Sequence, residues 1–436
     1  MHKPIRKITT VSALGALMLP LSIAHAQSNP ADIDALQRQL QALQAQINEL
    51  KAQQQQTQQS VSTVEQSVQE SEVDRSAIKK IIETVRPVEI YGVARLSLDY
   101  GDSDVSNDEE NNGMGLTEGD VGLSANTTII GLRGAHDFEW NGTQYAALWQ
   151  LEQNFNPGQD QGGDTLSNRD TFLGLKTPVG TFRAGLMDTP FKRMGIAYSA
   201  FTTTVGDPHA ILGAGPNPAY GRLDLRATNS LMWDGTIGDS VTYSLQYGLD
   251  QNRGSYGEES GQVLNGTEDL IDDNSSDMYS ASLSWNTGGL NLGAAYVNYS
   301  KLYSEQSIEA YRFGANYTFG AAKIGAIYEN INEYDPMDRD AYGAFATYRV
   351  APRTTAGVQW MHANETENGS DDDADQASIG VFHALTEALM VHAMYTKTMN
   401  GDNAQYRTAD YAHGDRVNTT PGGDPQALSV GAQYKW

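Results

Sequence analysis

The chain has 436 residues, with 54 acidic side chains against 29 lysines and arginines, a formal net charge of −25 and no cysteine. So acidic a chain lacks the clustered Lys and Arg that bind phosphate backbones, which argues against nucleic acid as a partner. Without cysteines it cannot be one of the small secreted domains that disulfides hold together.

Residues 1–26 have the three parts of a secretory signal. A basic start precedes the apolar stretch Val11–Ala24, and the small-x-small sequence Ala24-His25-Ala26 ends the segment. A membrane anchor is the alternative, but the apolar run is shorter than the roughly 20 residues that a spanning helix needs. We therefore predict a signal peptide that is cleaved after Ala26, and export of the mature chain.

Residues 27–86 are predicted to form an α-helical coiled coil. Asn29, Pro30 and Asp32 supply a cap, a first-turn proline and a first-turn acid. Apolar residues then recur at alternating spacings of three and four, the heptad pattern. They are Ile33, Leu36, Leu40, Leu43, Ile47, Leu50, Val61, Val64 and Val68. The alternative is a disordered Gln-rich linker, but the register continues across Gln53–Gln56. Because one chain cannot bury such a stripe alone, this segment implies oligomerisation.

Residues 87–436 alternate between apolar and polar side chains. In Val88–Tyr100 every second residue is small or apolar, which predicts a strand with one apolar face and one face in contact with water. We count sixteen such segments, connected in turn by long polar loops and by tight turns such as Trp140–Thr143. This pattern is typical of a transmembrane β-barrel. A soluble β-sandwich or propeller is the alternative, but aromatic residues gather at the strand ends and Val and Ile are scarce.

The segment Asp188–Asp224 has almost no periodicity, and loops of this length are uncommon and usually functional. Inside a closed barrel it is expected to enter the lumen and narrow it. Five of its charged residues are candidates for the constriction: Lys192, Arg193, Asp207, Arg222 and Asp224.

Basic residues of the barrel wall are expected to face the loop. Counting every second strand residue inward gives Arg95, Arg133, Arg183, Arg226, Arg312 and Lys323, with the carboxylates of Glu152, Asp170, Asp234 and Glu329. Since this basic set outnumbers the acids of the loop, we expect a weak to moderate preference for anions.

The acidic excess falls in predicted outer loops, at Asp104–Glu110, Glu258–Asp277 and Asp371–Asp375. Their spacing does not match a calcium-binding EF-hand loop. We expect loose binding of divalent cations, together with lipopolysaccharide phosphates, and no specific metal site or cofactor. A barrel enzyme would need a nucleophile, a base and an orienting group close together. Only His209 is placed for such chemistry, nothing near it in sequence pairs with it convincingly, and no catalytic residue is predicted.

Several stretches resemble the general trimeric porins of Gram-negative outer membranes. They are YGVARLSLDYG, TTIIGLRGAHDF, SNRDTFLGLKTPVGTFRAGLMDTP, RATNSLMWDG and the final Tyr434-Lys435-Trp436. The resemblance implies an all-β fold, a 16-stranded antiparallel transmembrane β-barrel, with the third outer loop folded inward. It also implies a homotrimer in the outer membrane and passive diffusion of small hydrophilic solutes.

The N-terminal segment is similar to that of porins of the DcaP-like group. That similarity implies a coiled coil in the periplasm and transport of dicarboxylates and other small anions. An alternative role for the coiled coil is that of an envelope spacer or tether, in contact with peptidoglycan and anchored by the barrel.

Overall fold

A computed structural model describes residues 88–104, 115–155, 168–249, 251, 276–303, 306–409 and 412–436. The predicted signal peptide (1–26), the predicted coiled coil (27–86) and most of two acidic loops, 104–110 and 258–277, lie outside the described residues. None of the helices in the described ranges is long and apolar enough to cross a membrane.

The described chain forms one antiparallel sheet that closes on itself. Its strands are β1 (Glu89–Asp102), β2 (Val121–Ala125), β3 (Thr128–Trp140), β4 (Thr143–Phe155), β5 (Thr171–Thr177), β6 (Gly180–Asp188), β7 (Arg226–Ile237), β8 (Val241–Gly248), β9 (Met278–Thr287), β10 (Leu290–Ser300), β11 (Ser307–Phe319), β12 (Ala322–Asn332), β13 (Arg339–Ala351), β14 (Thr354–Ala363), β15 (Ala374–Ala384), β16 (Leu389–Asn400) and β17 (Gln426–Lys435). One α-helix, α1 (Pro190–Ala197), lies between β6 and β7.

Strands β2 and β3 are two halves of one barrel strand. Both pair with the same edge of β1, and the register passes from Leu96↔Ala125 to Val93↔Ile129. Two residues of β1 therefore oppose the three residues 126–128, which is a β-bulge. Thr127, in the bulge, has a φ of 53°. Counted this way the barrel has sixteen strands, which confirms the prediction.

Closure joins the two ends of the barrel sequence. The second edge of β1 pairs with β17, from Val93↔Lys435 to Asp102↔Gln426. The amide of Trp436 also donates to the carbonyl oxygen of Gly92 at 3.2 Å. With β2 and β3 counted as one, each of the sixteen strands thus has a hydrogen-bonded neighbour on both sides. A barrel that spans a membrane requires this, because the hydrocarbon offers no hydrogen bonds to an open strand edge.

The two faces of the sheet differ as the alternation predicts. On β1, Leu98 and Tyr100 are 57% and 45% exposed, whereas Ser97 and Asp99 between them are buried. Trp140 and Tyr434, near strand ends, also expose their rings. One face of the wall is thus apolar and outward, and the other is polar and inward.

Candidate functional site

The long connection between β6 and β7, residues 189–225, begins with helix α1. The Thr189 hydroxyl accepts a hydrogen bond from the Lys192 amide at 3.2 Å, and Pro190 occupies the first turn. A threonine cap followed by proline is a helix-start signal, and the prediction of an aperiodic loop did not include this helix. Two 3₁₀ turns follow, each capped by a side chain, at Pro208–Ala210 and Pro218–Tyr220.

This connection makes hydrogen bonds to inward-facing residues of several strands. The Phe191 amide donates to Ser280 Oγ on β9 at 3.2 Å. Gln359 on β14 accepts from the Ala200 amide at 2.9 Å and donates to the Gly206 carbonyl oxygen at 3.0 Å. Apolar side chains of the connection pack into a buried cluster with Val297, Ile308 and Ile331 of the wall; they include Phe191, Met194, Ile211, Leu212 and Leu223.

A buried ion-pair network ties the connection to β11 and β12. Arg312 is fully buried and binds both carboxylate oxygens of Asp224, at 2.5 and 2.9 Å. Its guanidinium also bonds Glu329 at 2.5 Å, and the Phe191 ring centroid lies 3.9 Å away. The Gly213 amide donates to Glu329 at 2.8 Å, and a Cβ on Gly213 would lie only 2.1 Å from Asp224 Oδ2. Such a network is costly to break, because it would leave a buried charge unpaired.

His209 lies between two carboxylates in the same region. Its Nδ1 is 2.9 Å from Asp207 Oδ1, and its Nε2 is 3.6 Å from Asp224 Oδ1. The expectation that nothing pairs with His209 is therefore wrong. Burial opposes a charged imidazole, but the carboxylates of Asp224 and Asp207 outweigh it and raise the pKa of His209. Burial likewise opposes the Asp224 carboxylate, but Arg312 and His209 hold its pKa below the usual range.

A cavity of about 840 Å³ lies between the connection and a wall to which β1, β3, β6, β7 and β13–β17 contribute residues. Its charged lining comprises Arg95, Arg169, Lys192, Arg222, Arg226 and Lys435, against Asp188, Asp207 and Asp224. His209 and His392 also line it. Six of the eleven candidate constriction residues thus lie around one space: Arg95, Arg226, Lys192, Arg222, Asp207 and Asp224.

The other five candidates lie elsewhere. Arg312 is the buried anchor rather than an exposed part of the wall, because residues 189–225 cover it. Arg133 bonds Glu89 at 2.6 Å and is about half exposed. Arg183 and Arg193 both contact Asp234. Lys323 lies 5.3 Å from the Phe345 ring centroid.

Three of the six bases around the cavity bond carboxylates. Arg226 bonds Asp170 and Asp188, each at 2.8 Å. Lys192 lies 3.1 Å from Asp188, four positions before it. Arg169, a residue that counting every second position did not select, bonds Glu152 at 2.8 Å. Pairing therefore offsets part of the basic excess that the sequence suggested.

Arg95 differs from these residues in its hydrogen bonds, which go to neutral oxygens. Its Nε donates to Gln433 Oε1 at 2.7 Å, and its Nη1 donates to the Thr127 carbonyl oxygen at 2.8 Å. The bulge in the neighbouring strand supplies that carbonyl, and the Arg95 amide bonds Thr128 Oγ1 at 2.9 Å. The bulge therefore fixes a guanidinium at the cavity wall and leaves its charge uncompensated by the groups that hold it.

A serine, a histidine and an aspartate also meet on the inner face of β1. Ser97 Oγ and Asp99 Oδ2 lie 3.4 and 3.2 Å from the same nitrogen of His413, Nε2. In a hydrolytic triad the acid and the serine bind opposite ring nitrogens. Here Nδ1 instead faces the carbonyl oxygen of Asp415, and all three side chains of the cluster are buried. This arrangement does not fit nucleophilic catalysis.

Comparisons with known proteins agree with this architecture. A family model described as Gram-negative porin matches residues 76–404. The major outer membrane protein P.IB of Neisseria meningitidis serogroup B is 25% identical over 363 residues, which cover 76% of this chain and 89% of that protein. The solved structure of an anion-selective porin from Comamonas acidovorans superposes with a TM-score of 0.60 at 16% identity, covering 80% of this chain and 99% of the other. The trimer form of OmpT, an outer membrane protein of Vibrio cholerae, superposes with a TM-score of 0.56 at 18% identity, covering 80% of this chain and 99% of the other.

Proposed function

Because this chain belongs to the family of Gram-negative porins, we propose that its barrel encloses a water-filled channel for passive diffusion of small hydrophilic solutes across the outer membrane. Residues 189–225, the third long loop, narrow that channel. The channel has a weak to moderate preference for anions, dicarboxylates among them.

The charge of the cavity lining is the observation that carries the anion preference. Six of the lining residues are Lys or Arg and three are Asp. Of the bases, Arg95 is held by Gln433 and by a backbone carbonyl, so its charge remains available to a passing solute. A fixed positive charge at a narrow, water-filled passage favours anions and opposes cations.

The test is the reversal potential of single channels in a potassium chloride gradient. We expect a potential of anion-selective sign and a current that added succinate reduces. Arg95→Gln should move the reversal potential towards zero. Arg133→Gln is the matched control, because it removes the same charge from a residue outside the cavity lining that already bonds Glu89. A clear cation preference of the wild-type channel, or equal effects of the two variants, would contradict the proposal.

We further propose a homotrimer with a periplasmic coiled coil at residues 27–86. The heptad stripe supports oligomerisation, and the OmpT comparison includes a trimer form. Each inserted trimer should then show three equal steps of conductance, one for each subunit. Deleting residues 27–86 should leave the conductance of each step unchanged if the segment acts only as a spacer, tether or assembly element.

A further inference from the structure

A second loop also lies against the inner face of the barrel. It connects β16 to β17, and its residues 412–419 run along β1 and β2. Leu116, just before β2, forms a parallel bridge with Val417. The Leu116 amide donates to the Arg416 carbonyl oxygen at 2.6 Å, and the Asn418 amide donates to the Leu116 carbonyl oxygen at 3.0 Å. Both bridge side chains are buried.

Polar contacts continue this attachment towards the bulge. Ser124 Oγ donates to Asp415 Oδ2 at 2.8 Å and accepts from the Asp415 amide at 3.2 Å. The Gly414 amide donates to Asn126 Oδ1 at 3.1 Å, and Thr127 Oγ1 donates to the Ala412 carbonyl oxygen at 2.7 Å. The segment is thus bound to β2 and to the bulge that follows it.

His413 completes the attachment from the segment itself. Its ring is buried, with Nε2 3.2 Å from Asp99 Oδ2. Asp99 also accepts from Ser97 Oγ at 2.8 Å. The wall beneath the segment is therefore polar, made of hydroxyl and carboxylate groups that water could solvate if the segment left.

The other half of the same loop contacts residues 189–225. The Gln405 amide donates to the Pro216 carbonyl oxygen at 2.6 Å. The ring of Tyr406 lies 5.7 Å from the guanidinium carbon of Arg339, which itself donates to the Ile211 carbonyl oxygen at 2.6 Å. The loop thus reaches from residues 189–225 to the β1–β2 wall, and Ala412 lines the same cavity as Thr203.

We propose that residues 412–419 are a second constriction element of the channel, and that His413 and Asp415 are its positioning residues. The channel width is then set by two loops that approach from different walls. When residues 412–419 detach from β1 and β2, the polar groups of these strands become part of a wider, hydrated lumen. This inference rests on the proposed channel function.

A disulfide between Leu116→Cys and Val417→Cys tests the docked position. Bridge partners lie within the Cα separation that a disulfide spans, and the chain has no native cysteine to interfere. We expect the bond to form in the folded protein without reductant and the conductance to stay at the wild-type value. If the two cysteines do not cross-link in the folded trimer, the docked position is wrong.

The functional test combines the disulfide lock, which is the bond between Leu116→Cys and Val417→Cys, with removal of the positioning side chains. His413→Ala/Asp415→Ala should raise single-channel conductance on the order of twofold. With the lock added, conductance should be at the wild-type value when oxidised and rise on reduction. Asp402→Ala is the control, since it removes an exposed carboxylate from the same loop.

Unchanged conductance in the His413/Asp415 variant, or no response of the locked variant to reduction, would overturn the inference while leaving the channel intact. Absence of current from the wild-type protein would instead refute the channel function itself. The two failures are therefore distinguishable in one set of recordings.

Discussion

Removing the buried guanidinium of Arg312 should release residues 189–225 from the barrel wall. Arg312→Met keeps most of the side-chain volume but removes the cation that lies nearest to the buried carboxylates of Asp224 and Glu329. The groups that remain beside them lie farther away, at 3.6 Å for His209 and Asp224 and at 3.5 Å for Arg339 and Glu329. Breaking a buried pair in this way costs about 3–5 kcal/mol. At about 1.4 kcal/mol per factor of ten, the detached population should rise roughly 10²- to 4 × 10³-fold.

Limited proteolysis of the folded protein in detergent measures that population, because a detached loop is cleaved while the barrel is not. Arg133→Met is the control, since its pair with Glu89 is exposed at 49% and 56%, and exposed ion pairs contribute little to stability. The double variant Arg312→Met/Asp224→Asn should be cleaved more slowly than the single variant, because the carboxylate that Arg312 bonds at both oxygens is then neutral, while Glu329 keeps its pair with Arg339. Cleavage of Arg312→Met at the rate of Arg133→Met would refute the reasoning.

Two further predictions concern His209 and the helix beside it. Because the neighbouring carboxylates raise the pKa of His209, its protonated form stabilises the loop fully below about pH 6.5, and this contribution is lost as pH rises through the raised pKa. Proteolysis should therefore accelerate as the pH rises above that range, and His209→Asn should flatten the profile. Gly195→Ala in α1 should destabilise the loop by about 1–3 kcal/mol, because the added Cβ would lie 2.6 Å from His209 Nε2 and 2.8 Å from Arg312 Nη1. A cleavage rate equal to that of the wild type would show that the helix can shift to accept it.

The strands could be predicted from the sequence because their signal is local. A period of two needs only neighbouring residues, so Val88–Tyr100 and its fifteen counterparts were recognisable without tertiary information. The same rule placed Arg95 and Arg312 alike on the inner face. Their different surroundings, one at a cavity and one buried, could not be predicted, because they depend on a loop that packs over β11 but not over β1.

Long-range partners explain the other differences. Arg312 and Asp224 are 88 positions apart, and Ser124 and Asp415 are 291 apart. No periodicity within either segment indicates such a contact. Helix α1 is the exception, since Thr189-Pro190 is a local signal from which the start of the helix could have been predicted. The docked segment 412–419 offered no comparable signal.

The pairing of β1 with β17 has a consequence for how the chain folds. Arg95 and Gln433, which bond across that seam, are 338 positions apart. Contacts so distant in sequence are slow to form, so the ring should close late. Until then both seam strands present unsatisfied edges that invite pairing with other chains. A chain that stops short of β17 would keep those edges open, and we expect it to aggregate in the periplasm rather than insert as a smaller barrel.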